Sequence, residues 1–104
     1  TMIVMADICV VPLGSGISVS NEVAACIRIF EEAGLEPRMH GYGTNVQGEW
    51  DVVFGALKRC HEIVHEMGSP RITTSIRCGT RVDRDQSVQD KIDSVEEKLG
   101  RSVS

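Results

Sequence analysis

The sequence predicts an α+β fold: a ferredoxin-like βαββαβ antiparallel sheet with both main helices on one face and an additional C-terminal helix. Three observations carry this reading. The chain opens on a run rich in β-branched apolar residues, it contains two helix-period segments each closed by a glycine, and a stretch near residue 75 alternates apolar with polar. Strand, helix, hairpin, helix, strand is the split-βαβ order, in which the first and last strands become neighbours.

Residues 2–12 are nearly all apolar and end at Pro12 and Gly14, which reads as a strand. Ser18 or Ser20 can cap a helix through about Ala33, with Val23, Cys26, Ile27 and Phe30 as its apolar stripe and Gly34 as its stop. Residues 37–49 place Gly41, Gly43 and Gly48 around short apolar pieces and read as a hairpin whose second strand is the short one. Residues 51–67 form a second helix, stopped by Gly68, whose buried face at about 100° per residue is Val53, Ala56, Leu57, Cys60, Val64 and Met67. From Pro70 to Arg81, Ile72, Thr74, Ile76 and Cys78 fall on one side and Thr73, Ser75 and Arg77 on the other, a half-buried strand. Ser87-Val88-Gln89-Asp90 resembles a capping box, and Val88, Ile92, Val95 and Leu99 mark a final amphipathic helix. The charged stretch Arg81-Val82-Asp83-Arg84-Asp85 reads as a solvated loop.

The chain has 104 residues, which predicts one domain over 1–104, with Thr1 ahead of Met2 a cloning remnant. That size buries roughly two-thirds of its unfolded surface, enough for one two-layer core. A net charge of −4 and four aromatic residues argue against a nucleic-acid platform, which needs a basic face and stacking rings. No stretch approaches the ~18 apolar residues of a membrane span. The apolar start lacks a basic leader and contains Asp7, so it reads as mature protein and not as a signal peptide. Cys9, Cys26, Cys60 and Cys78 form no CxxC pair and fall on apolar positions, which predicts reduced core thiols and a cytoplasmic setting.

The first strand is apolar on both sides. Val4, Ala6, Ile8 and Val10 point one way; Ile3, Met5, Cys9 and Val11 point the other, with Asp7 among them. A strand with one wet face alternates, so the odd set is expected to pack on another copy of the chain. Asp7 then shares that face with Thr73, Ser75 and Arg77, and Arg77 is its expected partner. The plainer alternative is an interface salt bridge without a ligand.

His61-Glu62-Ile63-Val64-His65 is a literal HExxH, and Gly68 extends it to HExxHxxG. A third histidine would stand where Arg71 is, and arginine does not ligate zinc. His61 sits at the edge of the buried helix face and His65 faces water, so no metal site is expected and a zinc hydrolase is the weakest reading. Gly41-Tyr42-Gly43-Thr44 fails as a phosphate loop: Val46 stands where a dinucleotide fingerprint needs glycine, and no helix follows at once. Its glycines are expected to serve a turn or close packing. No serine elbow or paired nucleophile and base is present, so no catalytic residues are expected and binding outranks catalysis.

Together these residues resemble the thiamine-binding protein family, small ferredoxin-like proteins long left uncharacterised. The resemblance spans about residues 2–99. It rests on Ala6-Asp7-Ile8-Cys9-Val10-Val11-Pro12-Leu13-Gly14, Gly43-Thr44, Gly48-Glu49-Trp50-Asp51, His61 with His65 and Gly68, Arg77-Cys78-Gly79-Thr80-Arg81, and Asp90-Lys91. It implies subunits that pair through their sheets as homodimers or dimers of dimers, a thiamine or hydroxymethylpyrimidine ligand in some relatives, no established catalysis and no cofactor beyond that ligand. The chemistry suits such a ligand. Asp7 or Glu49 with Thr44 or Ser75 could read an aminopyrimidine edge, Trp50 could hold a thiazolium by cation–π attraction, and Arg77 could neutralise Asp7 or bind an anion. Asp7, Thr44, Glu49, Trp50, Ser75 and Arg77 are the expected ligand-binding residues. Local roles compete: Glu49 as first-turn charge of the second helix, Trp50 as a packing ring, Thr44 as a turn hydroxyl. A structural or regulatory homo-oligomeric module is the second reading.

Overall fold

The computed structural model describes residues 2–14, 19–82 and 88–102, the side chain of Val88 excepted. The elements are β1 (Ile3–Leu13), α1 (Ser20–Glu32), β2 (Arg38–His40), β3 (Gly43–Glu49), α2 (Trp50–Glu66), β4 (Arg71–Arg81) and α3 (Val88–Leu99). The strands form one sheet in the order β2-β3-β1-β4, with every neighbouring pair antiparallel. This is the ferredoxin-like arrangement, with β1 and β4 side by side.

The two faces of β1 divide as the alternation predicts. Val4, Ala6 and Ile8 are buried under the helical layer with Val46 of β3, Cys26 and Phe30 of α1, and Val53, Ala56, Cys60 and Val64 of α2. Ile72 and Ile76 of β4 pack against the same core. On the opposite face Ile3, Met5, Asp7 and Cys9 are half-buried, while Val11 and Leu13 are exposed.

Both main helices end on a left-handed glycine. At α1 the Gly34 N–H donates to the Glu31 carbonyl and the Leu35 N–H to that of Phe30, each at 3.0 Å. At α2 the Gly68 and Ser69 N–H groups donate to the carbonyls of His65 and Val64. The φ angles, +77° at Gly34 and +106° at Gly68, explain why glycine stands at both stops.

Several local expectations change. Ser20 is the first helical residue of α1 rather than its cap; Val19 holds the cap position and no side chain bonds the helix start. In the hairpin the short strand is the first: β2 has three residues and β3 seven, because β3 gains a second ladder along β1 and β2 pairs with β3 alone. Pro12 lies inside β1. Beyond Ile8 that strand pairs only with β4, so the missing N–H breaks no second ladder. Met67 caps α2 and is 43% exposed instead of buried. Cys26 and Cys60 are core thiols and Cys9 is half-buried, but Cys78 is exposed, since the helical layer reaches Ile72 and Ile76 of the edge strand without covering it. Ser18, the capping-box Ser87 and loop residues 83–85 lie outside the described residues.

The third helix settles on the open face of the sheet. Its Gln89 side chain accepts from Arg38 on β2 at 2.6 Å, and Lys91 borders the same hollow as Met5, Asp7 and Asn45.

Candidate functional site

Cross-strand register builds one row on the open face. Asp7 stands opposite Asn45 on β3 and opposite Arg77 on β4, and Arg38 of β2 lies beyond Asn45. In the next row His40 stands opposite Gly43, and Cys9 opposite Ser75. His40 leans across Gly43, and its Nε2 lies 2.6 Å from Asp7 Oδ1. The Tyr42 backbone N–H donates to Nδ1 of the same ring at 3.2 Å. With Nδ1 accepting, the ring proton belongs on Nε2, which donates it to the carboxylate. Both side chains are about one-third exposed, so the pair faces a wet surface.

Gly43 makes this contact possible. A Cβ at that position would lie 2.9 Å from Asp7 Oδ1 and 2.8 Å from the Ile8 carbonyl oxygen. Of the two roles expected for these glycines, a turn or close packing, Gly43 takes the second, and the packing clears the path between His40 and Asp7.

The partner expected for Asp7 was Arg77. The structure gives Asp7 to His40 instead, although Arg77 is its direct cross-strand neighbour. Register brings the two backbones together, but the histidine ring, fixed by the Tyr42 amide, occupies Oδ1. The other carboxylate oxygen has no partner among the described residues.

Asp7 and Arg77 line a cleft of about 440 Å³ with Met5, Asn45, Gly79 and Lys91. Ser75 lies two residues before Arg77, on the same face of β4. Thr44 points the other way: it is buried and lines a separate, mainly apolar hollow of about 300 Å³ with Phe30, Val23, Met39, His40 and Tyr42. Glu49 and Trp50 lie at the opposite end of the sheet. Glu49 pairs with Ile3, four residues along β1 from Asp7, a separation of roughly 13 Å at the rise of a strand. Glu49 holds the N-cap position of α2 without a side-chain bond. The Trp50 N–H donates to the Met2 carbonyl and its ring stacks at a tilt on Phe54, centroids 4.4 Å apart. Of the six expected residues, Asp7 and Arg77 therefore line the cleft, and Ser75 shares their face without lining it.

His40, Asn45 and Lys91 were not among the expected residues. His40 was legible only through the two-residue loop Gly41-Tyr42, which sets it opposite Gly43; Lys91 stood in the Asp90-Lys91 pair of the family resemblance, but its place in the cleft depends on where α3 docks.

The HExxH pair is engaged elsewhere. His61 Nε2 lies 2.6 Å from Thr74 Oγ1 on β4, and His65 Nδ1 lies 2.8 Å from the Ser69 carbonyl oxygen. His61 thus ties α2 to β4, and His65 ties it to the turn between them. The two rings stand edge to face with centroids 6.4 Å apart. In the core, the hydrogen bond shared with Cys26, and then burial, push the Cys60 thiol well above the ordinary thiol range, so it stays protonated.

A ferredoxin-like α+β sheet with two helices on one face and a polar cleft on the other defines the architectural class. Within it, residues 6–96 match the family described as Thiamine-binding protein, and the chain belongs to that family. It is 56% identical over 101 residues to the UPF0045 protein sll0230 of Synechocystis, covering 97% of this chain and 84% of that protein. It is 46% identical to the UPF0045 protein ECM15 of Eremothecium gossypii, covering 91% of each. The crystal structure of the Methanocaldococcus jannaschii protein MJ1052 superposes with a TM-score of 0.82 at 28% identity, over 91% of this chain and 97% of that one. A Thermotoga maritima structure, described as a candidate thiamine biosynthesis/salvage protein, shares the fold at TM-score 0.75 and 15% identity, over 89% of this chain and 98% of that one.

Proposed function

We propose that this chain is a non-catalytic small-molecule-binding protein. Its ligand is thiamine or the hydroxymethylpyrimidine part of thiamine, held in the open-face cleft without being turned over. One observation carries the reading: Asp7 is oriented by His40 with a carboxylate oxygen left over, facing a cleft large enough for a small heterocycle. That oxygen accepts from the amine of an aminopyrimidine, and Asn45 and Ser75 supply further polar groups on the same face. The family description and the Thermotoga relative's description point to the same vitamin. The four free thiols support a cytoplasmic setting.

Self-association through the same face completes the proposal. Val11 (40% exposed) and Leu13 (37%) on β1, with Val95 (49%) and Leu99 (51%) on α3, leave apolar surface that a second copy would cover. This surface also favours the second reading, an assembly module in which Asp7 only sets interface register. Calorimetry with thiamine and hydroxymethylpyrimidine separates the two. Binding that weakens by about tenfold or more in Asp7→Asn supports the ligand site. No heat and no thermal shift at millimolar ligand, or an Asp7→Asn variant that loses assembly while keeping its affinity, supports the module.

A further inference from the structure

We infer that the cleft carries a dedicated anion subsite, formed by Arg77 and Lys91, so that the preferred ligand is a phosphate monoester of the amine-bearing heterocycle rather than its free alcohol. The inference rests on the binding function proposed above and names the ligand class of that site.

Arg77 comes from β4 and Lys91 from the first turn of α3, and both line the cleft beside Asp7. Neither side chain has a hydrogen-bond or ion-pair partner among the described residues. Arg77 is the cross-strand neighbour of Asp7 but makes no ion pair with it; among the described residues Asp7 pairs with His40. Among the described residues, the cleft thus sets two cations without a partner against one carboxylate, in a chain whose net charge is −4. A local positive excess on an acidic protein selects an anion at one place instead of attracting polyanions broadly. An arginine fork and a lysine ammonium converging from two elements suit the oxygens of a phosphate.

Gly79 supplies the room. It lies two residues beyond Arg77 on the same face of β4, opposite Met5, and a Cβ there would meet nothing within 4 Å. Its backbone φ also lies outside the left-handed range. Neither packing nor backbone geometry requires glycine at this position, and the missing side chain leaves the cleft open beside both cations. A ligand with an amine on Asp7 and a phosphate between Arg77 and Lys91 satisfies all three charges.

The test measures dissociation constants for thiamine and thiamine monophosphate by calorimetry, and follows the Cys78 and Gly79 amide resonances during titration with inorganic phosphate. In the unaltered protein the monophosphate is expected to bind about tenfold tighter than thiamine. That ratio falls to near one in the Arg77→Gln/Lys91→Gln double variant. Inorganic phosphate shifts both amides in the unaltered protein and not in the double variant. Gly79→Val, which fills the cleft without strain, keeps the melting temperature and loses the phosphate response. Equal affinities in the unaltered protein, or a preference that survives the double variant, overturn the inference. If phosphate moves the amides but thiamine does not bind, the anion subsite stands and the thiamine reading falls. If thiamine binds and phosphate neither tightens it nor moves the amides, the anion subsite falls alone.

Discussion

At the scale of single residues, the site turns on three neighbours from a tight hairpin and the strand beside it. His40 reaches Asp7 only because Gly43 has no side chain, and its ring is held in one tautomer by the Tyr42 amide. Gly43→Ala is therefore expected to push β3 from β1 at the Ile8 carbonyl and to part the histidine from the carboxylate. Overpacking of this kind costs about 1–3 kcal/mol. Urea denaturation should show that loss, and ligand titration should show weaker binding than stability alone explains; a variant with unchanged stability and affinity would refute the close-approach argument. Asp7 and Arg77 were recognisable from the sequence as polar residues on an apolar face. The partner of Asp7 was not, because it depends on a ring crossing a gap in the neighbouring strand.

At the scale of elements, periodicity was a reliable guide over the middle of each core-packing element and failed at element ends such as Met67 and Cys78. Val4, Ala6 and Ile8 of β1 and the Val53, Ala56, Cys60 and Val64 stripe of α2 are buried as their spacing predicts, with Val10 partly buried beside them. Two substitutions check the energetics. Phe30 on α1 is 1% exposed within the core, and Phe30→Ala should cost about 3–5 kcal/mol in chemical denaturation. Gly34→Ala removes no packing, since a Cβ there meets nothing within 4 Å, but forces alanine to φ +77°; about 1–2 kcal/mol is expected. A Gly34→Ala variant as stable as the parent would show that α1 does not need its left-handed stop. The hairpin was harder to read, because three glycines in thirteen residues interrupt any alternation. The length of β3 follows from its pairing with β1, which local spacing does not encode.

At the scale of the whole molecule, the sheet has one face closed by α1 and α2 and another only partly covered by α3. Val11 and Leu13 stay exposed on that face, as do Val95 and Leu99 of the helix itself. If a second copy covers them, Val11→Glu should shift the protein from a dimer or larger assembly toward the single chain in sedimentation velocity. The melting temperature should then become less dependent on concentration. Sedimentation of the unaltered protein as a single chain at high concentration would remove self-association from the proposal while leaving the cleft of one chain in place. Docking of α3 is also what delivers Lys91 to the cleft, so binding and assembly share one surface.

Local patterning along the chain set the order of the elements, the core-facing side of β1 and β4, the glycine stops of both main helices and the membership of Asp7, Ser75 and Arg77 in one face. These are consequences of side-chain periodicity and local backbone preference, which act over a few residues. Three-dimensional packing alone gives Asp7 to His40, turns Thr44 away from the cleft and brings Lys91 into it. Those outcomes depend on hairpin register and on where a terminal helix comes to rest, and both are set by contacts between residues far apart in the chain.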